Sequence, residues 1–116
     1  MTVECMFLVD TGADFTVLNK ATLDALQTTR LPPSEQVAGV GGTARSVDVR
    51  ATIWFFRDGP ERVAFHGQFA AVTDFRALDM SVLGRDITHH FALIVDWPGK
   101  VVCLVGQNHR YSVTSG

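Results

Sequence analysis

The string Asp10-Thr11-Gly12-Ala13-Asp14, entered through the apolar run Met6-Phe7-Leu8-Val9, holds the residues of this chain most suited to chemistry. A hydrophobic strand that hands a carboxylate to a turn of small residues sets a reactive acid at the edge of a core. Such an acid can serve as a general acid or base, or as a nucleophile. By itself Asp-Thr-Gly is a weak signal, arising by chance in roughly one chain in fifty of this length. The competing interpretation is an Asx turn, in which Asp10 only caps its own backbone. Three features weigh against it. Asp10 follows four apolar residues directly, Gly39-Val40-Gly41-Gly42 lies about thirty residues downstream, and Val82-Leu83-Gly84-Arg85-Asp86 about seventy. The string occurs once, and Asp58, Asp74 and Asp79 lack its flanking residues. Any partner acid therefore comes from elsewhere.

Other reactive groups offer less. Cys5 and Cys103 lie near opposite ends with no Cys-x-x-Cys, which gives no zinc site; both are expected as free thiols. His89 and His90 are adjacent in an expected helix, so their side chains diverge. No metal or cofactor is implied. At 116 residues, 47% apolar and 19% charged, the chain is expected to form one globular domain over residues 1–116. A net charge of −2 makes no electrostatic case for nucleic acid or an anionic membrane. No apolar run is long enough for a transmembrane helix. The opening Met1-Thr2-Val3-Glu4 is not a signal peptide, which favours the cytoplasm and otherwise leaves the compartment open.

The elements that must position the acid are mostly short strands punctuated by Gly and Pro. Residues 3–9 read as a strand into Asp10, and residues 15–18 as a strand leaving the turn. Asn19 is expected to cap a helix over residues 20–26, stopped by Leu31-Pro32-Pro33. The glycines at 39–42 suit a hairpin tip. The return arm, residues 46–56, alternates Val47, Val49, Ala51, Ile53 and Phe55 against Asp48, Arg50 and Thr52. Residues 63–72 form the next strand, and residues 79–83 lead into a short helix reaching about His90 with Asp86 as N-cap. Residues 91–95 and 101–105 close a hairpin around Asp96-Trp97-Pro98-Gly99-Lys100. The whole is expected to be mainly β, a small closed barrel or sandwich with one or two short helices.

Together the three strings resemble the retropepsin-like aspartic proteases, the single-domain type of retroviruses and of some bacterial and eukaryotic proteins. Asp10-Thr11-Gly12-Ala13-Asp14 is similar to their catalytic loop and Gly39-Val40-Gly41-Gly42 to their flap tip. Val82-Leu83-Gly84-Arg85-Asp86 is similar to the segment that packs behind the active site and starts its helix. The strings stand in family order and near family spacing, over residues 6 to 91. The resemblance implies an acid-protease fold, an aspartic endopeptidase acting on polypeptide, no cofactor, and a homodimer. Two departures stand out. Retroviral members carry more than the nine residues found here before the catalytic Asp, including an outer strand used in dimerisation. Residues 91–105 make a longer hairpin than the minimal retroviral domain has, closer to the ending of non-viral relatives and of a pepsin lobe.

The resemblance also implies roles. Asp10 would meet its counterpart at a two-fold axis, and the paired acids would share a proton around one water. Thr11 would hydrogen-bond across the axis, and Gly12 would let the substrate backbone approach. Asp14 would pair with Arg85 and face substrate main chain; the alternative is a solvated surface pair worth little. Arg85 and Asp86 would support the loop from behind. Val40, between Gly39 and Gly41, would cover bound peptide. Leu8, Val82 and Phe15 would line side-chain pockets, with core packing equally expected for Phe15. Ala13, also near substrate, stands where pepsin-type relatives place Ser or Thr. Alanine cannot donate a hydrogen bond to the dyad, so activity is expected nearer about pH 5–6 than 2–3. Two rivals compete. An aspartyl-phosphate phosphohydrolase wants a second carboxylate at position 12, which is glycine. A non-catalytic module of the same fold would only bind peptide or dimerise.

Overall fold

The computed structural model describes residues 2–26, 36–39, 42–56, 60–106 and 112–115. Its longest elements grow from the clearest alternation in the sequence. β4 (Gly42–Phe56) and β5 (Arg62–Val72) form an antiparallel ribbon in register from Ser46↔Val72 to Phe56↔Arg62. One face of the ribbon buries Val47, Val49, Ile53, Phe69 and Ala71. β-Branched and aromatic residues at every second position give that face its fit to a core. β4 begins four residues before the expected start, where it pairs with β3 (Gln36–Gly39) through Gly39↔Gly42. Val40 and Gly41, the expected flap tip, lie outside the described residues, as do Leu31-Pro32-Pro33.

The short strands carry the Asp10-Thr11-Gly12 string. β1 (Phe7–Val9) runs parallel to β6 (Ser81–Leu83), and β2 (Val17–Leu18) is antiparallel to β6 and parallel to β5. The sheet order is β1-β6-β2-β5-β4-β3. The strand expected over residues 3–9 shrinks to Phe7–Val9 because β6 offers only three partners. That expected over residues 15–18 shrinks to Val17–Leu18, since Phe15 and Thr16 are taken up by contacts described below.

α1 (Lys20–Leu26) has its expected bounds. Asn19 caps it: its Oδ1 accepts from Thr22 N at 3.1 Å and from Thr22 Oγ1 at 2.6 Å. Leu23 is buried and Leu26 half-buried against the same core. α2 spans Arg85–Thr88, shorter than expected. Its N-cap is Gly84, not Asp86; the Asp86 carboxylate is drawn away to Thr16. Bonds from His90 N to Ile87 O and Phe91 N to Thr88 O tighten and end the helix, leaving His89 and His90 exposed beyond it.

β7 (Ala92–Asp96) and β8 (Val101–Val105) form the expected hairpin as a separate two-stranded sheet. Its turn is held by Gly99 N donating to Asp96 Oδ1 at 2.9 Å. Phe91 and Leu104 pack beside Phe7 and Val9 against Ile53, Phe69, Leu83 and Ile87. A second cluster joins Leu18, Leu23, Val47, Val49 and Ala71, and Phe7 touches both. The fold is mainly β with two short helices, of barrel or sandwich type. Side chains, not a continuous ladder, bring the hairpin onto the sheet. Cys5 and Cys103 are both free thiols. No helix among the described residues is long and apolar enough to cross a membrane.

Candidate active site

Asp10 stands one residue beyond β1, and its N–H donates to Leu83 O at 3.1 Å, extending the pairing with β6 by a step. The chain then turns sharply, with Ala13 N donating to Asp10 O at 3.2 Å. Gly12 N donates to Asp10 Oδ1 at 2.9 Å. The Asx turn considered above is therefore present, and it leaves the carboxylate available: one oxygen is anchored, the other faces solvent with no partner among the described residues. Gly12 suits this geometry, because a Cβ there would sit 3.2 Å from Asp10 Oδ1. Asp10, Thr11, Gly12 and Asp14 are exposed and Ala13 is half-buried.

A second segment holds this loop from behind. Arg85 N donates to Ala13 O at 2.8 Å and Asp86 N to Asp14 O at 3.2 Å. The Arg85 guanidinium pairs with the Asp14 carboxylate. With side chains 41% and 68% exposed, that ion pair alone is worth little. Thr16, fully buried, is the stronger link. Its Oγ1 donates to Asp86 Oδ1 at 2.7 Å and accepts from Gly84 N at 3.0 Å, while its N–H donates to the same Asp86 oxygen at 3.0 Å. Asp86 Oδ1 also accepts from Ile87 N at 3.0 Å.

Thr16 is the residue that sequence reasoning missed, having been taken as one more β-branched strand position. The available signal was a hydroxyl between apolar neighbours, on a strand that must bury it. Thr16→Val is expected to leave the buried Gly84 N–H without an acceptor and cost about 1–3 kcal/mol. A urea melt compared with Thr16→Ser, expected to cost less, checks this.

Leu8 lies in register with Val82, and alternation puts Leu8 and Asp10 on one face. Leu8 is 55% exposed and Val82 half-buried, so an apolar strip flanks the acid. Phe15 is 68% exposed, which removes core packing, one of the two alternatives expected for it. Its backbone is pressed against Gly84, and the side chain is left outside. Gly39 ends β3 opposite Gly42. Two concavities of the described surface lie away from the loop, between Arg50, Thr52, His66 and Gln68 and along residues 3–6 beside α1. Among the described residues no three His, Cys, Asp or Glu side chains are grouped to hold a metal ion.

The sequence model of the family described as aspartyl protease matches residues 2–87. Among solved structures, the chain is similar to EIAV protease complexed with the inhibitor HBY-793. The two share 25% identity over 72% of each chain, with a TM-score of 0.54. No curated protein matches the chain. The loop, the segment behind it and the fold agree with these matches: the chain belongs to the aspartyl protease family, as a retropepsin-like member.

Proposed function

We propose that the chain is one subunit of a homodimeric aspartic endopeptidase whose active site is completed by Asp10 of a second copy. The observation that carries this is a single exposed carboxylate, one oxygen anchored by Gly12 N and the other without a partner among the described residues. Peptide hydrolysis without metal or covalent intermediate needs an acid and a base facing one water. Two carboxylates about 3 Å apart provide both, since they cannot ionise together; this is the established arrangement of aspartic proteases. The ionised member takes a proton from water as its oxygen attacks the scissile carbonyl carbon, and the protonated member gives its proton to the carbonyl oxygen; the first then passes its proton to the nitrogen as the C–N bond breaks, while the second takes back a hydroxyl proton. The pair titrates as a unit.

The supporting residues take the roles that membership of the family implies. Thr11, exposed beside Asp10, reaches across the two-fold axis. Gly12 keeps the approach to the carboxylate clear. Asp14 and the Ala13 backbone face the substrate main chain, steadied by Arg85 and Asp86. Leu8 and Val82 receive apolar side chains flanking the scissile bond, and Gly39, Val40 and Gly41 close over the peptide. The likeness to EIAV protease, a protease complexed with an inhibitor, supports a polypeptide substrate.

The test is cleavage of unfolded casein across pH 3–7. The expected rate per subunit rises with protein concentration until dimers saturate, and the profile peaks at about pH 5–6. No cleavage anywhere in that range would favour the non-catalytic module. Ala13→Ser is expected to move the acidic limb downward by up to about one pH unit. A hydroxyl donating to the charged form favours ionisation, so the base stays available in more acid solution. A profile of the unsubstituted protein already peaking below about pH 3.5 would sink this account of Ala13.

A further inference from the structure

We infer that the outer face of the β4–β5 ribbon binds an acidic segment of polypeptide, and that it holds protein substrates there while they are cut at Asp10. The substrate role rests on the endopeptidase function proposed above; the binding does not. The register sets Arg50 opposite Gln68 and Thr52 opposite His66, on the face turned away from buried Val49, Ile53 and Phe69. Together they line a shallow concavity of about 540 Å³. One repeat further along the same face lies Trp54, and the Arg62 guanidinium stacks over its ring at 4.9 Å.

The face offers mainly hydrogen-bond donors. Arg50, Arg62, His66 and Gln68 are exposed, and among the described residues neither arginine has a carboxylate partner. Asp48, the one acid that these strands place on the face, is half-buried and already engaged. Thr52 Oγ1 lies 2.8 Å from His66 Nδ1, and the His66 ring meets Trp54 edge-on with centroids 6.4 Å apart. The imidazole is thus held in place, and when Thr52 donates to Nδ1, Nε2 carries the proton as a further donor. Stacking fixes the Arg62 guanidinium by its face and leaves its in-plane N–H groups for an anion. Two permanent cations set in advance, in a chain of net charge −2, make a local site for carboxylates.

The length of the site favours a peptide over a small anion. From the Arg50–Gln68 pair to the Phe56–Arg62 pair the ribbon runs about 20 Å, enough for an extended acidic peptide to reach both arginines. A nucleic acid fits less well. Two arginines are few for its phosphates, and Arg62 already occupies a face of Trp54 on which a base would stack. β4 also runs unbroken to Phe56 from Gly42, beside the residues proposed to close over the substrate. Arg50 lies up to about 26 Å along it, a span that about eight extended residues of an unfolded substrate cover. Such tethering raises the substrate's effective concentration at the active site, and lowers KM without touching kcat.

The test begins with the full chain carrying Asp10→Asn, so that no peptide is consumed. A capped peptide of five Glu-Ala repeats is titrated in and amide NMR shifts are followed, with Gln-Ala and Lys-Ala repeats as controls. Shifts are expected at residues 50–54 and 62–68, and the glutamate peptide should bind about tenfold more tightly than either control, or better. Adding Arg50→Ala/Arg62→Ala, both at exposed positions, is expected to weaken its binding about tenfold, with an equal urea midpoint showing that the fold is kept. The active enzyme is then given a casein-derived peptide with and without the glutamate repeats, placed eight residues beyond the scissile bond. The repeats are expected to lower KM about fivefold at constant kcat, and the double variant to lose that advantage while cutting the plain peptide normally. A glutamate peptide bound no better than the glutamine one would overturn the site, whatever the variant does. A uridine decamer bound more tightly at the same residues would overturn the peptide as its ligand. Binding with no change in KM would overturn the substrate role. Binding by a protein that cleaves nothing would leave the site standing and remove the endopeptidase function.

Discussion

Mixing wild-type protein with excess Asp10→Asn is expected to poison the wild type, not merely to dilute it. Alone, the variant should cleave casein about 10³-fold more slowly or worse, because asparagine neither ionises nor gives up a carboxyl proton. The substitution is nearly isosteric, and its side-chain oxygen can still accept from Gly12 N, now at 2.9 Å from Asp10 Oδ1. The turn therefore keeps its shape and the variant still pairs. At nine variant subunits to one wild type, with total protein well above the dimer dissociation constant, random pairing leaves about one dimer in a hundred with two Asp10 copies. Cleavage per wild-type subunit then falls about tenfold. If one subunit carried a complete site, added variant would leave the rate per wild-type subunit unchanged, and that result would sink the shared mechanism.

Gly84→Ala is expected to be the most damaging single substitution in the fold. A Cβ at Gly84 would lie 2.3 Å from the carbonyl carbon of Phe15, 2.5 Å from its oxygen and 2.8 Å from Thr16 N. These are backbone atoms, so no side chain can swing away. The conformation itself, φ −95 and ψ −177, is open to any residue, which makes the effect one of space alone. Relief requires parting residues 13–16 from residues 84–86, which breaks the bonds of Thr16, Ala13 and Asp14 to that segment. The expected loss is about 3 kcal/mol or more, a large share of a small domain's stability. Gly67→Ala is the control. Its added Cβ would come no nearer than 3.8 Å to the Phe69 ring, and it should change stability by under about 1 kcal/mol. Urea midpoints of the two variants compare them, and an unshifted midpoint for Gly84→Ala would contradict the packing described.

How much of this was legible beforehand depends on how far apart the interacting residues lie. α1 kept its bounds because its signals, Asn19 and Leu23, are local. The β4–β5 alternation and the β7–β8 turn are local for the same reason. β1 came out short because the length of a ladder is set by its partner, and that partner, Ser81–Leu83, is over seventy residues away; β2 came out short because Phe15 and Thr16 are engaged by the equally distant Gly84 and Asp86. Asp86 has the composition of an N-cap, yet its carboxylate answers to Thr16, seventy residues earlier. The acid itself could be picked out from Asp10-Thr11-Gly12, but nothing periodic in the chain shows which residues brace it. Under the proposed function its counterpart is Asp10 of a second copy, which no pattern within one chain can display.

The stitching of residues 10–16 to residues 83–87 has a consequence for the order of folding. The β4–β5 ribbon pairs neighbours in sequence as near as Phe56 and Arg62, and segments that close together meet quickly. The loop around Asp10 has no such local route. Asp10 leaves the ribosome before the groups that orient it, Leu83 O, Arg85 and Asp86, which emerge some seventy residues later. A nascent chain thus holds its acid unplaced until that whole stretch has been made.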